Sequence, residues 1–352
     1  MFNDHYGLAG RPFQLTPDSR FWFESATHAK AMAYLGYGLA QGEGFVVVTG
    51  EIGAGKTTLT GHLLDTVDPA RVNAIRITSS QLSGEDLLRM VAAGLGLSST
   101  VPGKGDLLDR IETGLLDRAR SGQKTLLIVD EAQNLPLTTL EELRMLSNIQ
   151  AGEHSLVQIF MLGQPEFRDR LSRSPELEQL RQRVIATHHL TAMADYEIRP
   201  YIEHRMKLVG WNGNPAFAGD AWAAIHAYSG GVPRQVNNLM TRVLLAGSMD
   251  QIAVIDAALI ESVIADLSRD EAAGADTARM ADLTAARAVP PGYVHEPQAL
   301  DQAARIAMLE AQVEEQGAAL KRVLTLLIDW AESDMQTKPQ PPEFFRAPVA
   351  RI

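Results

Sequence analysis

The sequence contains no cysteine in 352 residues. That absence removes disulfides, thiolate zinc sites, iron–sulfur clusters and thiol nucleophiles together. Nine histidines leave a histidine–carboxylate metal site open, but they offer no close-spaced pair of ligand type. Positive charge is scarce: 32 Lys and Arg against 43 Asp and Glu give a net charge of −11. Such a chain is a poor non-specific ligand for nucleic acid or anionic lipid, although a local basic face stays open. No apolar run approaches the 18 or so residues needed to cross a bilayer. The start, Met-Phe-Asn-Asp-His-Tyr, lacks a basic region followed by an apolar stretch, so it does not read as a signal peptide. The expected compartment is the cytoplasm, with peripheral attachment at the inner membrane as a further option. What the chain does have is apolar material, 45% of its residues, enough for one large or two modest cores.

Five short apolar runs read as buried strands: Phe45–Thr49, Val72–Ile77, Thr125–Val129, Val157–Leu162 and Val184–His188. Four are rich in Val and Ile without clean alternation, as expected for a parallel sheet covered on both faces. The fifth is more polar. Helical patterns lie between them, at Thr57–Leu64, Glu85–Leu95, Leu107–Arg120, Leu137–Ile149 and Pro165–Leu171. This alternation predicts a doubly wound α/β domain with a five-stranded parallel sheet. Beyond about Leu190 the pattern is helical only, at 195–209, 219–228, 233–247 and 256–267, giving a small all-helical domain.

The domain layout expected is therefore 1–190 for an N-terminal segment plus α/β domain and 191–267 for a helical lid. An Ala-, Asp- and Pro-rich linker follows at 268–299, then a helix at 300–334 and a disordered tail at 335–352. The first 25 residues hold Tyr6, Pro12, Phe13, Pro17, Phe21, Trp22 and Phe23, too apolar for a free tail, and are expected to pack on the domain that follows. Ser25 is placed to cap a helix running through Met32 and Leu35 to Leu39. Near the end, Ile306, Leu309, Val313, Gln316, Leu320, Val323, Leu327 and Trp330 follow the a/d spacing of a coiled coil. The alternative is an amphipathic helix folded back on its own domain.

Two motifs carry chemistry. Gly50-Glu51-Ile52-Gly53-Ala54-Gly55-Lys56-Thr57, followed by Thr58, fits G-x-x-x-x-G-K-[ST] between a strand and a helix. Its glycines let backbone N–H groups curl round phosphate oxygens at the positive end of a helix. Lys56 would reach the β- and γ-phosphates of ATP, and the Thr57 hydroxyl would ligate Mg²⁺. The second motif, Leu126-Leu127-Ile128-Val129-Asp130-Glu131, ends a strand in two acids. Asp130 would hold Mg²⁺, and Glu131 would orient and polarise the attacking water.

Strand, phosphate loop, Asp130-Glu131-Ala132-Gln133 and a trailing helical domain resemble AAA+ ATPases. Three stretches narrow the resemblance: Tyr6-Gly7-Leu8 with Pro12-Phe13 and Thr16-Pro17-Asp18; Gly163-Gln164-Pro165-Glu166-Phe167; and Leu180-Arg181-Gln182-Arg183. Over roughly residues 1–267 these are similar to the ExeA type, also called general secretion pathway protein A. Within it, they resemble most the ATPases associated with exosortase and exopolysaccharide loci. Members of the secretion branch carry a transmembrane segment and a cell-wall-binding region after the ATPase.

The resemblance implies ATP hydrolysis and assembly into a ring or filament. It makes Gln164 the sensor after the fourth strand, with an amide capping the Pro165 helix as the alternative. It makes Arg181 or Arg183 an arginine finger for a neighbouring subunit, with ion pairs to Glu176 and Glu178 as the alternative. Arg234, in Gly230-Gly231-Val232-Pro233-Arg234, becomes the sensor-2 arginine of the lid, or else a solvated helix-start arginine. The Pro12–Phe13 region would line the adenine side, or else pack on the sheet. The function implied is an ATP-driven motor or switch supporting exopolysaccharide export, protein sorting or envelope assembly, with a protein client such as a membrane-bound export component. The alternative is a DNA-binding AAA+ regulator of the transposition-ATPase kind, with Arg199, Arg205, Lys207 and Arg242 as its basic face.

Overall fold

Strand β1 (Phe45–Gly50) is buried along its whole length. Phe45 and Val47 enter one apolar core while Val46 and Val48 enter another. A strand buried on both faces needs hydrogen-bonded neighbours on both edges and helices above and below. The computed structural model, which describes residues 2–78, 82–98 and 103–269, supplies both. Strands β2 (Val72–Thr78), β3 (Lys124–Asp130), β4 (Val157–Gly163) and β5 (Val184–Leu190) join β1 in one parallel sheet of order β2-β3-β4-β1-β5.

All the described residues fall within one compact unit, Met1–Ala278. Short helix α1 (Phe2–Tyr6) opens it. Helices α2 (Ala26–Gln41) and α3 (Lys56–Thr66) supply Ala31, Leu35, Leu59 and Leu63 to one face of the sheet. The other face is covered by α4 (Gly84–Gly94), α5 (Lys104–Arg120), α6 (Leu137–Leu146), α7 (Pro165–Arg173) and the short α8 (Glu178–Arg181). Ser25 caps α2, its side chain accepting from the His28 N–H, as its position in the sequence suggests. The fifth strand is only half-buried, which accounts for its more polar sequence: it is a sheet edge.

Helix α6 stops at Leu146, three residues before the expected Ile149. The Ser147 hydroxyl bonds the Arg144 carbonyl at 2.7 Å, and the chain turns into a two-residue antiparallel pair, Gln150–Ala151 with His154–Ser155.

After β5 come α9 (Asp195–Leu208), α10 (Ala221–Ser229), α11 (Pro233–Met249) and a helix over 257–269. A two-residue parallel bridge, Ala216–Phe217 with Val254–Ile255, ties this helical layer together where only helices are expected. The layer's core includes Ile198, Ile202, Met206, Leu239, Met240 and Val243.

The N-terminal segment departs from the sheet-packing alternative, and its residues Gln14–Asp18 and Phe21–Phe23 line the cleft described below. Tyr6, Leu8, Phe13 and Phe21 lie in this helical core, not on the sheet. Polar bonds hold the segment there: Ala9 N–H to Val209 O at 2.8 Å, Tyr6 Oη to Ile252 O at 3.1 Å and Thr241 Oγ1 to Phe13 O at 3.1 Å. The expected C-terminal helix and its heptad seam lie outside the described residues, as do the linker beyond 269 and the tail.

Candidate functional site

In an open parallel sheet the crevice forms at the carboxyl ends of the strands. Here Thr49 of β1 is level with Gly163 of β4, and Thr78 of β2 is level with Asp130 of β3. The segments that leave these strands, Gly50–Lys56, Asp130–Glu131 and Gln164, therefore emerge at one sheet edge. Of these, Ile52, Gly53, Gly55, Lys56, Glu131 and Gln164 line a cleft of about 230 Å³, closed on its far side by Met193, Tyr201, Arg205, Pro233, Arg234 and Asn237 of the helical layer.

The phosphate loop curls through left-handed glycines, φ 89° at Gly53 and 95° at Gly55, a region that other residues enter only with strain. Gly53 has a second constraint, since a Cβ there would lie 2.4 Å from the Arg234 Cβ. Helix α3 starts without a side-chain cap, so its first N–H groups are left facing the loop. Lys56 is buried, and its Nζ donates to the Gly50 and Glu51 carbonyls at 2.6 and 3.0 Å. Burial pushes its pKa below the usual lysine value, while the Glu131 and Asp130 charges act in the opposite sense. The loop can present backbone N–H groups and one ammonium to an anion. Thr57 and Thr58, beside Lys56, also line the cleft, with Ile52 and Gly53; Glu51 stands exposed and Ala54 is buried behind the loop.

Asp130 is buried at 3% exposure. Its Oδ1 accepts the Glu131 N–H at 3.1 Å and its Oδ2 accepts Arg76 Nη2 of β2 at 3.1 Å. Glu131 sits at φ 55°, a left-handed conformation that costs on the order of 1–3 kcal/mol for such a residue. Its Oε2 accepts Gln133 Nε2 at 2.5 Å and Gln164 Nε2 at 3.3 Å, and Gln133 Oε1 accepts the Gln164 N–H at 3.0 Å. Two amides thus hold one carboxylate at the tip of the sheet. Gln164 makes no side-chain cap to α7, so the helix-capping alternative does not hold.

Arg234 is exposed, but its stem packs on Gly53 and its N–H donates to Gly53 O at 3.3 Å. The helical layer and the phosphate loop therefore meet at this residue. Arg181 and Arg183 are elsewhere. The Arg183 carbonyl accepts the Phe45 N–H, at the opposite end of β1 from Gly50 and about 17 Å away along the strand. Arg183 Nη1 lies 3.4 Å from Ser147 O, and Arg181 pairs with Glu178 and donates to Ser172 O at 2.8 Å. Neither joins the cleft of its own chain.

Four participants have a role at the site that the sequence does not assign. Arg76, Gln133, His28 and Arg205 are all brought in by tertiary packing. Arg205, read from the sequence as part of a basic face, is instead buried at 7% exposure. Its Nε donates to Pro12 O at 2.7 Å, and its guanidinium lies 4.6 Å from the Phe21 ring centre. His28 lies under the loop, with Nδ1 2.6 Å from Ser25 Oγ; burial, first, pushes its pKa down to about 4.

A glycine-curled loop before an uncapped helix, beside a strand ending in Asp-Glu, defines a P-loop nucleotide-binding protein. Comparison with known proteins narrows the class. Residues 39–171 match the family described as AAA domain. Over 247 residues the chain is 36% identical to general secretion pathway protein A of Aeromonas hydrophila, an alignment that takes in 70% of this chain and 45% of that protein. Over that stretch it is similar to AAA ATPases of the ExeA type, and it spans somewhat under half the length of that curated relative. Solved structures agree on the fold. The Aeropyrum pernix ORC1 protein, in complex with DNA, superposes with a TM-score of 0.55 at 16% identity, covering 74% of this chain and 70% of that one. The ORC2 protein of the same organism gives 0.53 at 14%, covering 72% and 71%. Among the described residues no helix is long and apolar enough to cross a membrane, and no cluster of three or more metal-ligating side chains stands ready.

Proposed function

We propose that the chain is an ATP-driven switch or motor that works as an oligomer, with Glu131 positioning the attacking water and an arginine of the Arg181–Arg183 segment acting on the neighbouring subunit's nucleotide. The observation that carries this reading is the Glu131 carboxylate. It is strained, half-buried and held by Gln133 and Gln164 beside a glycine loop whose donors face a cleft. Lys56 and the N–H groups of Gly53–Thr58 would bind the β- and γ-phosphates. Gln164 would report the γ-phosphate to α7, and Arg234, seated on Gly53, would couple it to the helical layer.

Thr57 and Asp130 offer the hard oxygens that Mg²⁺ prefers, and Asp130 is oriented by Arg76, so the residues fit this ion. When bound it would offset phosphate charge. The chain's own task is to aim Asp130, hold Glu131 and exclude water behind the helical layer.

The placement of Arg181 and Arg183 at the far sheet edge supports donation in trans, because neither can reach its own phosphate loop. Turnover per subunit should therefore rise with protein concentration. Lys56→Ala should abolish ATP binding, yet restore activity when mixed with the finger variant, since each supplies what the other lacks. Concentration-independent turnover, with no recovery in any mixture, would refute assembly-dependent hydrolysis.

For the biological role, the identity to general secretion pathway protein A supports service to the bacterial envelope. Exopolysaccharide export or the associated protein sorting, with a membrane-bound protein client, is the finer form of this reading. The DNA-binding alternative draws on a fold shared with the ORC1 protein solved in complex with DNA, but its basic face is weakened. Arg205 is buried, and Arg199 and Lys207 both pair with Glu203. Salt-sensitive retention on duplex DNA in the presence of ATP would reverse that preference.

A further inference from the structure

The N-terminal segment reaches the phosphate loop through one side chain. His28, in the first turn of α2, is 6% exposed. Trp22 meets its ring edge-on at 5.2 Å between ring centres and stacks face to face on His62 of α3 at 4.3 Å, so Trp22 bridges the imidazole and the helix that the loop opens. Ser25 Oγ, fully buried, stands 2.6 Å from His28 Nδ1. The other ring nitrogen faces the loop. Nε2 lies 2.7 Å from where a Cβ on Gly55 would be, against the Ala54–Gly55 peptide, and the Ala54 backbone acts to raise the ring's pKa, the sense of a carbonyl acceptor.

The chemistry of these contacts orients the ring. Ser25 Oγ accepts the His28 N–H, which leaves its hydroxyl proton for Nδ1. A neutral imidazole that accepts at Nδ1 must carry its proton at Nε2. Nε2–H then donates to the Ala54 carbonyl. In a trans peptide the carbonyl of one residue and the N–H of the next point in opposite directions within one plane. Holding the Ala54 carbonyl outward therefore turns the Gly55 N–H inward, to the concave side of the loop. Gly55 at φ 95° makes this junction soft, because glycine has no side chain to lock the plane.

We propose that His28 is a positioning residue for the phosphate loop: through the Ala54 carbonyl it aims the Gly55 amide at a bound polyphosphate, and Ser25 sets the tautomer that makes this possible. The inference rests on the reading that this loop binds nucleotide phosphates. It assigns a role in nucleotide affinity to a residue outside the loop and outside any phosphate-binding motif.

The test is equilibrium binding of ATP to the full chain, with steady-state turnover measured alongside, for His28→Leu, His28→Gln and Ser25→Ala. Leucine fills the site without a donor. The glutamine amide reaches about as far as Nε2 and restores an N–H. Losing one aimed donor should weaken ATP binding about 3- to 10-fold in His28→Leu, raising KM while kcat stays within twofold. His28→Gln should return to within about threefold of the unmodified chain, and Ser25→Ala should fall between. A purely structural histidine would show no such rescue. ATP binding by His28→Leu equal to that of the unmodified chain would overturn the inference, as would His28→Gln binding no better than His28→Leu. If neither His28 variant folds, as judged by melting without nucleotide, Ser25→Ala decides, and unchanged affinity there overturns it. No ATP binding by the unmodified chain would instead overturn the nucleotide reading itself.

Discussion

The two ends of the central sheet are built on different plans. At the carboxyl ends of the strands, polar groups are buried and satisfied by one another. Lys56 bonds its own loop, Asp130 bonds Arg76, and Glu131 is held by two amides. At the amino ends, Arg181 and Arg183 lie at or near the surface, tied only to Glu178 and to backbone or hydroxyl oxygens. The first edge is preorganised within one chain, which suits a site where charge must be met without rearrangement. The second holds charge on loosely paired side chains that can be given up at little cost. On the proposed reading, a single chain would carry a receptor at one end of the sheet and a donor at the other, and a second copy would bring the two together.

The contrast is broken most severely at the donor edge. Arg181→Ala and Arg183→Ala, made separately, should leave ATP affinity within about twofold, since both lie a strand's length from the loop. One of them should lose turnover on the order of 10³-fold, the scale of an arginine finger and roughly 4 kcal/mol of barrier. Multiple-turnover assays at a concentration that saturates assembly would measure it. Unchanged turnover in both variants would remove the donor role from this edge.

A smaller effect sharpens the receptor edge. His28 titrates near 6.5 when unfolded, but burial pushes it down to about 4 in the fold. The folded state therefore holds it neutral, and the unfolded state takes up a proton as pH falls below 6.5. Stability from this group is complete above pH 6.5 and is lost as pH falls through 4, by up to about 3 kcal/mol. Neighbouring Glu197 and His188 act on it in opposite senses. Urea unfolding across this range should show a steeper pH dependence for the unmodified chain than for His28→Gln; equal slopes would contradict the burial argument. The smallest effect belongs to the exposed Arg181–Glu178 pair. Glu178→Ala should change stability by less than about 1 kcal/mol, and a larger loss in urea unfolding would mean the donor edge is more rigid than its exposure implies.

Legibility in the sequence follows the distance over which each feature is determined. The five strands were placed to within two residues, because an apolar run covered on both faces has a strong local signature. The phosphate loop was legible for the same reason: its glycines, lysine and threonine act within eight residues. Gln133 was visible beside the Asp-Glu pair, but its bond to the Gln164 N–H joins residues 31 apart, which spacing alone does not reveal. Glu131 in the left-handed region has no sequence marker, since Asn or Asp would be the usual occupant. Tyr6, Phe13 and Phe21 are buried, as their apolar run implies, yet their destination is set by the complementary face of the helical layer, while half-buried Trp22 packs on the sheet side. The charge of Arg205 argues for exposure, but an aromatic ring and a backbone carbonyl make its burial tolerable.

Glu131→Gln gives the most direct test of the central claim that this cleft binds ATP and that Glu131 turns it over. The substitution keeps the shape and the hydrogen bonds available to Gln133 and Gln164 but removes the negative charge. ATP binding by calorimetry and single-turnover hydrolysis should be measured on the same preparation. The account predicts affinity within a few-fold of the unmodified chain and a turnover reduced at least 100-fold, on the scale of removing a general base. Hydrolysis at the parent rate by a variant that still binds ATP would contradict it.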